Sequence, residues 1–313
     1  MLQRGNEMPA TVPAVDFNRT IQLSDEQIRF YQENGFIQIL NVLTPDEVDF
    51  VRESIAEAID HLSRTKTGKS QGNPFYSKVF HQEVNLWRIH EGVKRYTLSR
   101  RLGELARQLT GVAKMRLWHD HCLYKMPEQS LASDWHQDWP YWPMYHAGAM
   151  SCWMALDDVN ETNGCLQFVP KSFKWGIYPA IALGSGKKQL ETMLNEEERA
   201  KFKPVAMPMP AGSCTFHDGL CFHYANPNRS DKPRRAIATI YQPDGTEFRK
   251  KGHICTDPLK LNDGDKLVDE IFPVVAEGKP YPTTTFYDAR ERLKSEAALN
   301  DARHARMKAA AEA

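Results

Sequence analysis

From Lys114 to Tyr241 the chain is a series of short apolar, β-like runs separated by turn signals, and this pattern restricts the possible folds more than any other feature. The turn signals include Asn160–Gly164 and Pro210–Gly212. Helical patterns come before this region. Helices followed by antiparallel strands predict an α+β fold with a double-stranded β-helix core, of the jelly-roll or cupin-like kind, flanked by N-terminal and C-terminal helices.

The N-terminal part carries clear signals for helix boundaries. Ser24-Asp-Glu-Gln27 fits a capping box, and Asn34-Gly35 fits the end of the helix that this box begins. Thr44-Pro45-Asp46-Glu47 supplies an N-cap, a proline at the first helical position and a glutamate at the third. The sequence therefore predicts a first helix ending near Asn34, a strand over Phe36–Val42, a second helix ending near Leu62 and a third over Leu98–Leu109.

The chain divides into a disordered lead-in, one large domain and a C-terminal helix. The domain holds a helical part and a jelly-roll core, and a long insertion in the core carries the charged helical segment Leu190–Phe202. The tail has no Pro or Gly, so we expect a helix that lies on the surface or joins copies of the chain in a homo-oligomer. The predicted bounds are 1–22 for the lead-in, 23–286 for the domain, 23–112 for its helical part, 113–245 for its core, 174–205 for the insertion and 287–313 for the C-terminal helix.

The composition gives no sign of nucleic acid or a membrane as a partner. Lys plus Arg and Asp plus Glu are both 40, so the net charge is zero and favours neither nucleic acid nor an anionic membrane. The sequence contains no apolar run of the roughly 18–20 residues that a membrane span requires, and no signal-peptide core near the first residue. The six cysteines are scattered without a CxxC pair, which predicts a reduced, cytoplasmic protein.

The stretch Trp135–Trp142, which reads WHQDWPYW, carries the chemistry. His136 and Asp138 are two residues apart, and on a strand such residues project from the same face. His223 follows 85 residues beyond Asp138, after a β-rich apolar stretch. Two histidines and one carboxylate form the facial triad of non-haem Fe(II) oxygenases, whose open positions receive a cosubstrate and O2.

Other histidines offer weaker alternatives. His81-Gln-Glu83 has similar chemistry, but the sequence predicts no strand there to align the two side chains. His119-Asp-His121 lacks the further Asp-His pair of a dinuclear zinc hydrolase, so we expect a structural or supporting role. His217-Asp218 changes the ligand assignment if its strand runs in another register, and His146 is a candidate for the pocket mouth.

Arg234 and Arg235 begin a predicted strand, and alternation lets only one of them face inward. A buried guanidinium needs an anionic partner, because an unpaired charge inside a barrel is very costly. The distal carboxylate of a 2-oxoacid would accept two hydrogen bonds from it. The alternative is a strand-end arginine paired with a surface acid, and the spacing alone leaves both open.

Aromatic residues surround the proposed metal motif. Aromatic side chains on strands either line a substrate pocket or pack in the core and rim of a barrel, and the sequence does not decide between these roles. If they line a pocket, they suit an apolar, ring-bearing or cationic substrate. The residues concerned are Trp135, Trp139, Tyr141, Trp142 and Tyr145, of which we predict Trp139, Tyr141 and Trp142 as substrate contacts.

Together these motifs resemble the phytanoyl-CoA dioxygenase (PhyH) family of Fe(II)/2-oxoglutarate-dependent oxygenases, which includes ectoine hydroxylase. The resemblance runs from about Leu23 to Tyr241. It rests on the opening LSDEQIRFYQENGF with the later LTPDEV, on the metal motif HQDWPYWP, on WMALDD, NGCL and VP in the centre, and on HYANPN and RRA near the end.

The resemblance implies specific roles. It makes His136, Asp138 and His223 ligands of Fe(II), and it places Trp153 beside the cosubstrate. It also places Arg234 on the C5 carboxylate of 2-oxoglutarate, because family members space this arginine eleven residues past the distal histidine, and Arg235 is the fallback. The related halogenases have a small residue in place of the carboxylate ligand, so the carboxylate of this chain favours hydroxylation with O2 as cosubstrate.

The chain departs from the family pattern at two places. The usual Pro-Gly-Ser-His reads Pro170-Lys-Ser-Phe173, and the usual Gly-Asp before the distal strand reads Gly212-Ser213. Neither place supplies a predicted ligand, so both departures bear on the substrate and on the residues that surround the metal.

The substrate and the reaction outcome stay open at this stage. We expect hydroxylation of an unactivated C–H bond in a small metabolite, with succinate and CO2 as products, while desaturation, epimerisation and ring closure use the same chemistry. An acyl-CoA is the second substrate candidate, because Lys66, Lys69 and Lys78 would suit its phosphates, although a solvated basic loop is the commoner role of such lysines. The alternatives are a cupin-like metalloenzyme that does not use 2-oxoglutarate and a non-catalytic jelly-roll binding module.

Overall fold

The computed structural model describes residues 15–65, 79, 81–127, 130–145, 148–184, 189–268 and 270–281. Its described α-helices are α1 (Asp25–Asn34), α2 (Pro45–Thr65), α3 (Glu91–Thr97), α4 (Arg100–Thr110), α5 (Gln189–Met193) and α6 (Glu196–Lys201). Its described strands are β1 (Phe36–Ile39), β2 (His81–Val84), β3 (Lys114–Tyr124), β4 (Ser133–His136), β5 (Met150–Ala155), β6 (Leu166–Phe168), β7 (Val205–Ala206), β8 (Cys214–Asp218), β9 (His223–Ala225), β10 (Ala236–Pro243) and β11 (Val274–Glu277). The predicted C-terminal helix, the lysines 66, 69 and 78, and His146 lie outside the described residues.

The strands form two antiparallel sheets. The larger sheet has seven strands in the order β1-β8-β5-β10-β3-β11, and β2 also pairs with β3. The smaller sheet has four strands in the order β4-β9-β6-β7. Strands far apart in the chain are neighbours in both sheets, so residues from distant segments meet between them. The protein is thus a mixed helix-and-strand protein, as predicted.

The helix boundaries follow from local chemistry. The predicted capping box at Ser24 and Gln27 is present, and Gly35 ends α1 with a φ of 81°, in the left-handed region that favours glycine. Thr44 and Glu47 exchange hydrogen bonds at the start of α2, as predicted. The predicted third helix is preceded by the separate short helix α3, and Ser99 accepts a hydrogen bond from the Leu102 N–H at the start of α4.

Two apolar layers hold these elements together. Alternate residues of β5 explain the layers, since Cys152 and Met154 pack with the helices on one side while Trp153 and Ala155 pack between the sheets on the other. All six residues of β5 are buried, as expected for a strand covered on both faces. A buried ion pair adds a polar link between helices, because Arg101 in α4 contacts Glu47 in α2 at 2.8 Å.

Some predicted boundaries need correction. The disordered lead-in does not extend to residue 22, because Phe17 is 4% exposed and packs in the core beneath the helices. The strand that begins at Phe36 ends at Ile39, since Asn41 turns the chain with a φ of 53°. His81 and Glu83 do lie on a strand, contrary to the prediction, because β2 pairs with β3. The charged segment of the insertion forms two short helices, with Asn195 capping the second.

None of the described helices is long and apolar enough to cross a membrane. All six cysteines are buried and free. Burial raises the pKa of Cys122 and of Cys255 to about 12, so these thiols stay protonated and behave as small apolar side chains.

Candidate active site

A cavity of about 610 Å³ lies between the two sheets. The larger sheet contributes side chains from β3, β5, β8 and β10, and the smaller sheet contributes side chains from β4, β6 and β9. A segment of the insertion, Ile181–Leu183, also lines it. The predicted metal-binding residues and Arg234 all face this one cavity.

His136, Asp138 and His223 come together in this cavity. His136 ends β4 and His223 begins β9, and the two are direct cross-strand partners with ring centroids 4.1 Å apart. Asp138 lies beyond the end of β4, where the chain turns into the 3₁₀-helix Trp139–Tyr141. The predicted strand geometry for the pair is therefore wrong, although one donor atom from each of the three residues lies within 4.8 Å of the others.

Hydrogen bonds orient the three side chains. Nδ1 of His136 lies 2.6 Å from the Asp134 carbonyl and Nδ1 of His223 lies 3.1 Å from the Cys221 carbonyl. A carbonyl only accepts, so each Nδ1 carries the hydrogen and each Nε2 presents a lone pair to the cavity. Both Nε2 atoms lie close to Oδ1 of Asp138, at 3.6 and 3.5 Å.

The other carboxylate oxygen of Asp138 has its own partners. Ser151 Oγ donates to Oδ2 at 2.7 Å, and His217 Nε2 lies 3.3 Å from it. His217 therefore supports the carboxylate and is not part of the cluster of three donors. With the observed register of β8, His217 contacts Asp138 and does not replace any of the three donors, so the alternative ligand assignment does not arise.

Burial sets the charge of the cluster. It lowers the pKa of His136 to about 3, and the neighbouring His223 acts in the same direction. Burial likewise lowers the pKa of His223 to about 4. Burial alone would raise the pKa of Asp138, but His223 and His217 hold it well below its usual value. At neutral pH the cluster thus has two neutral imidazoles and a carboxylate, the protonation states that bind a metal.

These residues fit Fe(II) by their chemistry. Two imidazoles and one carboxylate on one side, with open cavity on the other, are the donor set of non-haem Fe(II) oxygenases. Each of the three side chains is held by a hydrogen bond on its far side, as metal ligands usually are. Across the described residues no other group of three such donors occurs.

The two arginines have different environments. Arg235 is paired with Asp157, whose carboxylate accepts from its guanidinium at 2.6 and 3.0 Å. Arg234 is 2% exposed and faces the cavity. It donates to the Leu123 carbonyl at 3.1 Å and lies 5.2 Å from the ring centre of Trp153, while its Nε has no partner. It forms no ion pair with any described carboxylate.

The environment of Arg234 fits 2-oxoglutarate. Burial lowers its pKa to about 10, so the guanidinium is still charged at neutral pH. A buried cation without a counter-charge is costly, and a bound carboxylate would relieve this cost. Arg235 is therefore the arginine that pairs with an acid near the surface, one of the two roles that the sequence left open. Arg234 is the candidate for the other role, the binding of a carboxylate in the cavity.

The predicted aromatic contacts divide in the same way. Tyr141 and Trp142 line the cavity. Trp139 does not, because it is 1% exposed and lies beneath the Arg249 guanidinium at 4.6 Å. The structure therefore gives Trp139 a packing role instead of the predicted substrate contact. Trp135 packs against Phe202 and Tyr224, away from the cavity lining.

Several cavity residues were not found from the sequence. Ser151 on β5, Gln82 on β2, and Lys251 and His253 in the segment after β10 belong to no motif. Gln137, between the two metal-motif residues, donates to the carbonyls of Gly176 and Leu220. Only the alternation of β-strands could have indicated Ser151 and Gln82, and the sequence does not predict β2.

The two departures from the family pattern lie outside the cavity. Phe173 packs against Gly35, where an added Cβ would come within 2.5 Å of its ring. Ser213 accepts a hydrogen bond from the Asn41 N–H at 3.0 Å. Both residues thus have packing roles in this chain, and neither is among the residues that line the cavity.

The family model described as phytanoyl-CoA dioxygenase (PhyH) matches residues 31–236, about two thirds of the chain. The chain belongs to the PhyH family. The predicted family and the predicted enzyme class are confirmed: this is a non-haem iron and 2-oxoglutarate-dependent dioxygenase.

The individual proteins that this chain is similar to are distant from it in sequence. A probable alpha-ketoglutarate-dependent hypophosphite dioxygenase of Stutzerimonas stutzeri is 23% identical over 69% of this chain and 77% of its own length. The peroxisomal phytanoyl-CoA dioxygenase of Rattus norvegicus is 24% identical over 76% of this chain and 74% of its own. The crystal structure of SnoK, a non-haem alpha-ketoglutarate-dependent carbocyclase of nogalamycin biosynthesis, is 26% identical, covers 81% of this chain and 97% of its own, and has a TM-score of 0.67.

Proposed function

We propose that this PhyH-family enzyme hydroxylates an unactivated C–H bond of a small-molecule metabolite, with 2-oxoglutarate and O2 as cosubstrates and succinate and CO2 as products. The observation that carries the proposal is the buried guanidinium of Arg234, which faces the same cavity as three metal-binding donors and has no described carboxylate partner. The presence of Asp138 favours hydroxylation over halogenation, since it leaves no space for a halide ligand.

His136, Asp138 and His223 would hold the iron through Nε2, Oδ1 and Nε2. When bound, iron would supply the activation of O2 for its reaction with 2-oxoglutarate. The protein's part is to keep these donors in place, and Ser151 and His217 do so by holding Oδ2 of Asp138, which leaves Oδ1 for the metal.

Arg234 would bind the C5 carboxylate of 2-oxoglutarate, and Trp153 would pack against the cosubstrate. The pairing of Arg235 with Asp157 supports this choice between the two arginines. The enzyme class leaves no place for the alternative of a cupin-like metalloenzyme that does not use 2-oxoglutarate. Such an enzyme would also have no need for a buried guanidinium without an anionic partner.

The insertion would exclude water from the reaction. Tyr141 Oη donates to the Ile181 carbonyl at 2.7 Å and accepts from the Ile181 N–H at 3.1 Å. The Gln137 side chain accepts from the Tyr178 N–H at 2.8 Å. These bonds tie the lining segment directly to the metal motif, so this part of the insertion closes the cavity beside the metal.

We further propose that the two sheets are the halves of a double-stranded β-helix within a single domain, which takes in Phe17 as well as the predicted range 23–286, in a cytoplasmic protein. The fold of the carbocyclase SnoK supports this architecture. Ring closure in place of hydroxylation remains the second outcome, and analysis of the product decides between them.

The test uses the two arginines as a matched pair. In metal-free protein under anaerobic conditions, Fe(II) followed by 2-oxoglutarate should produce a weak visible charge-transfer band that needs both components. The Arg234→Gln variant should raise the 2-oxoglutarate concentration needed for half of the band by about 100-fold, since it removes a charge-assisted bidentate contact of about 3 kcal/mol.

The control is Arg235→Gln, which removes an adjacent arginine that pairs with Asp157. It should change this concentration by less than about twofold, as expected for a partly exposed ion pair. If Arg234→Gln behaves like the control, Arg234 is not the residue that binds the C5 carboxylate, and the proposed 2-oxoglutarate site is wrong.

A further inference from the structure

One side of the cavity is lined by polar residues that the proposed mechanism does not use. We call it the polar wall, and its members share no sequence motif: Gln82 on β2, His119 and His121 on β3, and Lys251, His253 and Asp257 after β10. The three imidazoles are packed together, with ring centroids of His119 5.2 Å from His121 and 5.7 Å from His253. A cluster of polar groups beside a metal site is expected to bind the substrate.

Hydrogen bonds define what two of these imidazoles offer. Nδ1 of His119 lies 3.3 Å from the Asp120 carbonyl, so it carries the hydrogen and Nε2 is an acceptor. Nδ1 of His253 accepts from the Cys255 N–H at 3.2 Å, so the hydrogen is on Nε2, which is a donor. In the part of the chain that the structure describes, neither Nε2 has a partner.

Gln82 and His121 extend the same pattern. The Gln82 carboxamide contacts Nδ1 of His121 through its nitrogen. The carboxamide oxygen is buried and has no hydrogen-bond partner within the described ranges. A buried polar atom without a partner costs about 1–3 kcal/mol, so a ligand that satisfies it gains affinity.

The polar wall is close to neutral. Burial lowers the pKa of His121 and of His253 to about 4, and it lowers that of His119 well below its usual value, so the imidazoles are uncharged at neutral pH. Lys251 is the only cation of the wall, and Asp257 supplies one carboxylate. The Lys251 ammonium already donates to the Pro140 carbonyl. The wall thus lacks the cluster of cations that a phosphate-rich ligand requires.

The rest of the cavity, apart from the residues proposed for iron and 2-oxoglutarate, is mostly apolar. Its members include Val84, Leu123, Tyr141, Trp142, Ile181 and Leu183. Large flat side chains among them suit a ring system. A ligand that fills this cavity therefore meets apolar side chains over most of its surface and hydrogen-bonding groups at one side.

We propose that the polar wall recognises the substrate and that this substrate is an uncharged, ring-bearing molecule with hydroxyl or carbonyl oxygens along one side. The mixture of donors and acceptors suits hydroxyl groups, which both donate and accept, better than a carboxylate, which only accepts. The inference rests on the proposed function, because it assigns the substrate class of that same site. It disfavours an acyl-CoA substrate.

The test measures binding of matched naphthalenes to the anaerobic enzyme loaded with Fe(II) and 2-oxoglutarate. The probes are naphthalene-2,7-diol, naphthalene and 2-naphthoate, followed through their own fluorescence. We expect the diol to bind at least about tenfold more tightly than naphthalene, because each satisfied hydrogen bond contributes about 1 kcal/mol. We expect 2-naphthoate to bind more weakly than the diol.

Two substitutions link the preference to the wall. His253→Phe and His121→Phe keep an aromatic ring but remove the nitrogens, and each should weaken diol binding about fivefold to tenfold while changing naphthalene binding less than about twofold. The control is His61→Phe, at an exposed position of α2. The charge-transfer band reports that each variant is folded and retains its iron site.

The outcomes separate the two proposals. A band that fails to form in the unmodified enzyme contradicts the proposed function. If the band forms but the diol binds no more tightly than naphthalene, or fails to bind, the inference about the polar wall is overturned. Tighter binding of 2-naphthoate than of the diol also overturns it, since the wall would then be an anion site. Diol binding that both variants leave unchanged places the recognition elsewhere in the cavity and overturns it as well.

Discussion

The metal site and the polar wall face the same cavity but differ in how many of their polar atoms have hydrogen-bond partners within the protein. At the metal site, Nδ1 of both histidines and Oδ2 of Asp138 are held by hydrogen bonds within the protein. In the polar wall, Nε2 of His119 and of His253 and the Gln82 oxygen have no described partner. The proposed metal ligands are thus oriented before any ligand binds, whereas the groups proposed to recognise the substrate have hydrogen-bonding atoms without a described partner.

The two regions also differ in how they are assembled. Two of the proposed metal ligands are cross-strand neighbours, and the third follows two residues after one of them. The polar wall brings together β2, β3 and the segment around His253, which are far apart in the sequence. Both regions therefore depend on long-range pairing of strands, but two of the three proposed metal ligands also belong to one short motif, whereas the polar wall contains no motif.

The largest effect on activity is expected when a proposed iron ligand is removed, because the polar wall contains no such ligand. Asp138→Ala removes a proposed iron ligand, so succinate formation from 2-oxoglutarate should fall by at least about 100-fold, more than loss of a supporting residue would cause. His253→Phe should leave the charge-transfer band intact. The measurement is succinate release and the anaerobic spectrum, with Asp49→Ala on the exposed side of α2 as control. An Asp138→Ala enzyme that retains activity would remove the distinction between the regions.

A smaller effect concerns Asp120, behind the polar wall. Its carboxylate accepts from the Trp87 N–H and from Thr97, both at 3.0 Å. Burial raises its pKa to about 7, so the folded chain keeps a proton that the unfolded chain, with a pKa near 3.9, releases. Stability is therefore lost as pH rises from about 4 to about 7, by about 2–4 kcal/mol in total.

Asp120→Asn removes this ionisation and therefore tests whether it causes the pH dependence of stability. Urea unfolding at pH 5 and pH 8 should show the wild type losing more stability than the variant over this interval. Asp49→Asn, at an exposed position, should follow the wild type. Equal losses in the wild type and in Asp120→Asn would show that Asp120 is ionised in the folded protein at pH 5 already.

The smallest of these effects concerns the support of the metal site. Ser151→Ala removes the hydrogen bond to Oδ2 of Asp138 and should weaken Fe(II) binding about tenfold, measured by competition with a chelator. Ser213→Ala is the matched control, because Ser213 accepts from the Asn41 N–H outside the cavity. Unchanged affinity in Ser151→Ala would mean that the Ser151 hydrogen bond is not needed to orient Asp138 and that the contact with His217 is sufficient.

Local signals predicted much of the architecture. The capping box at Ser24 and the Thr44–Glu47 start of α2 depend on contacts within four residues, and both are present as predicted. The predictions failed where a long-range contact decides the structure. Strand β2 forms because it pairs with β3, and Phe17 is ordered because it packs beneath the helices.

Local patterns and the family resemblance were sufficient to predict the starts of α1 and α2, the family and the three metal-binding candidates, because each of these is carried by residues close together or by a family pattern. They did not predict α3, and α2 ends at Thr65 instead of near Leu62. Only the three-dimensional arrangement distinguishes Arg234 from Arg235, since Arg235 pairs with Asp157 while Arg234 faces the cavity. It also placed Trp139 beneath Arg249 and gathered the polar wall. Burial and pairing across the sheets are properties of neighbours that are distant in the chain, so no local pattern contains them.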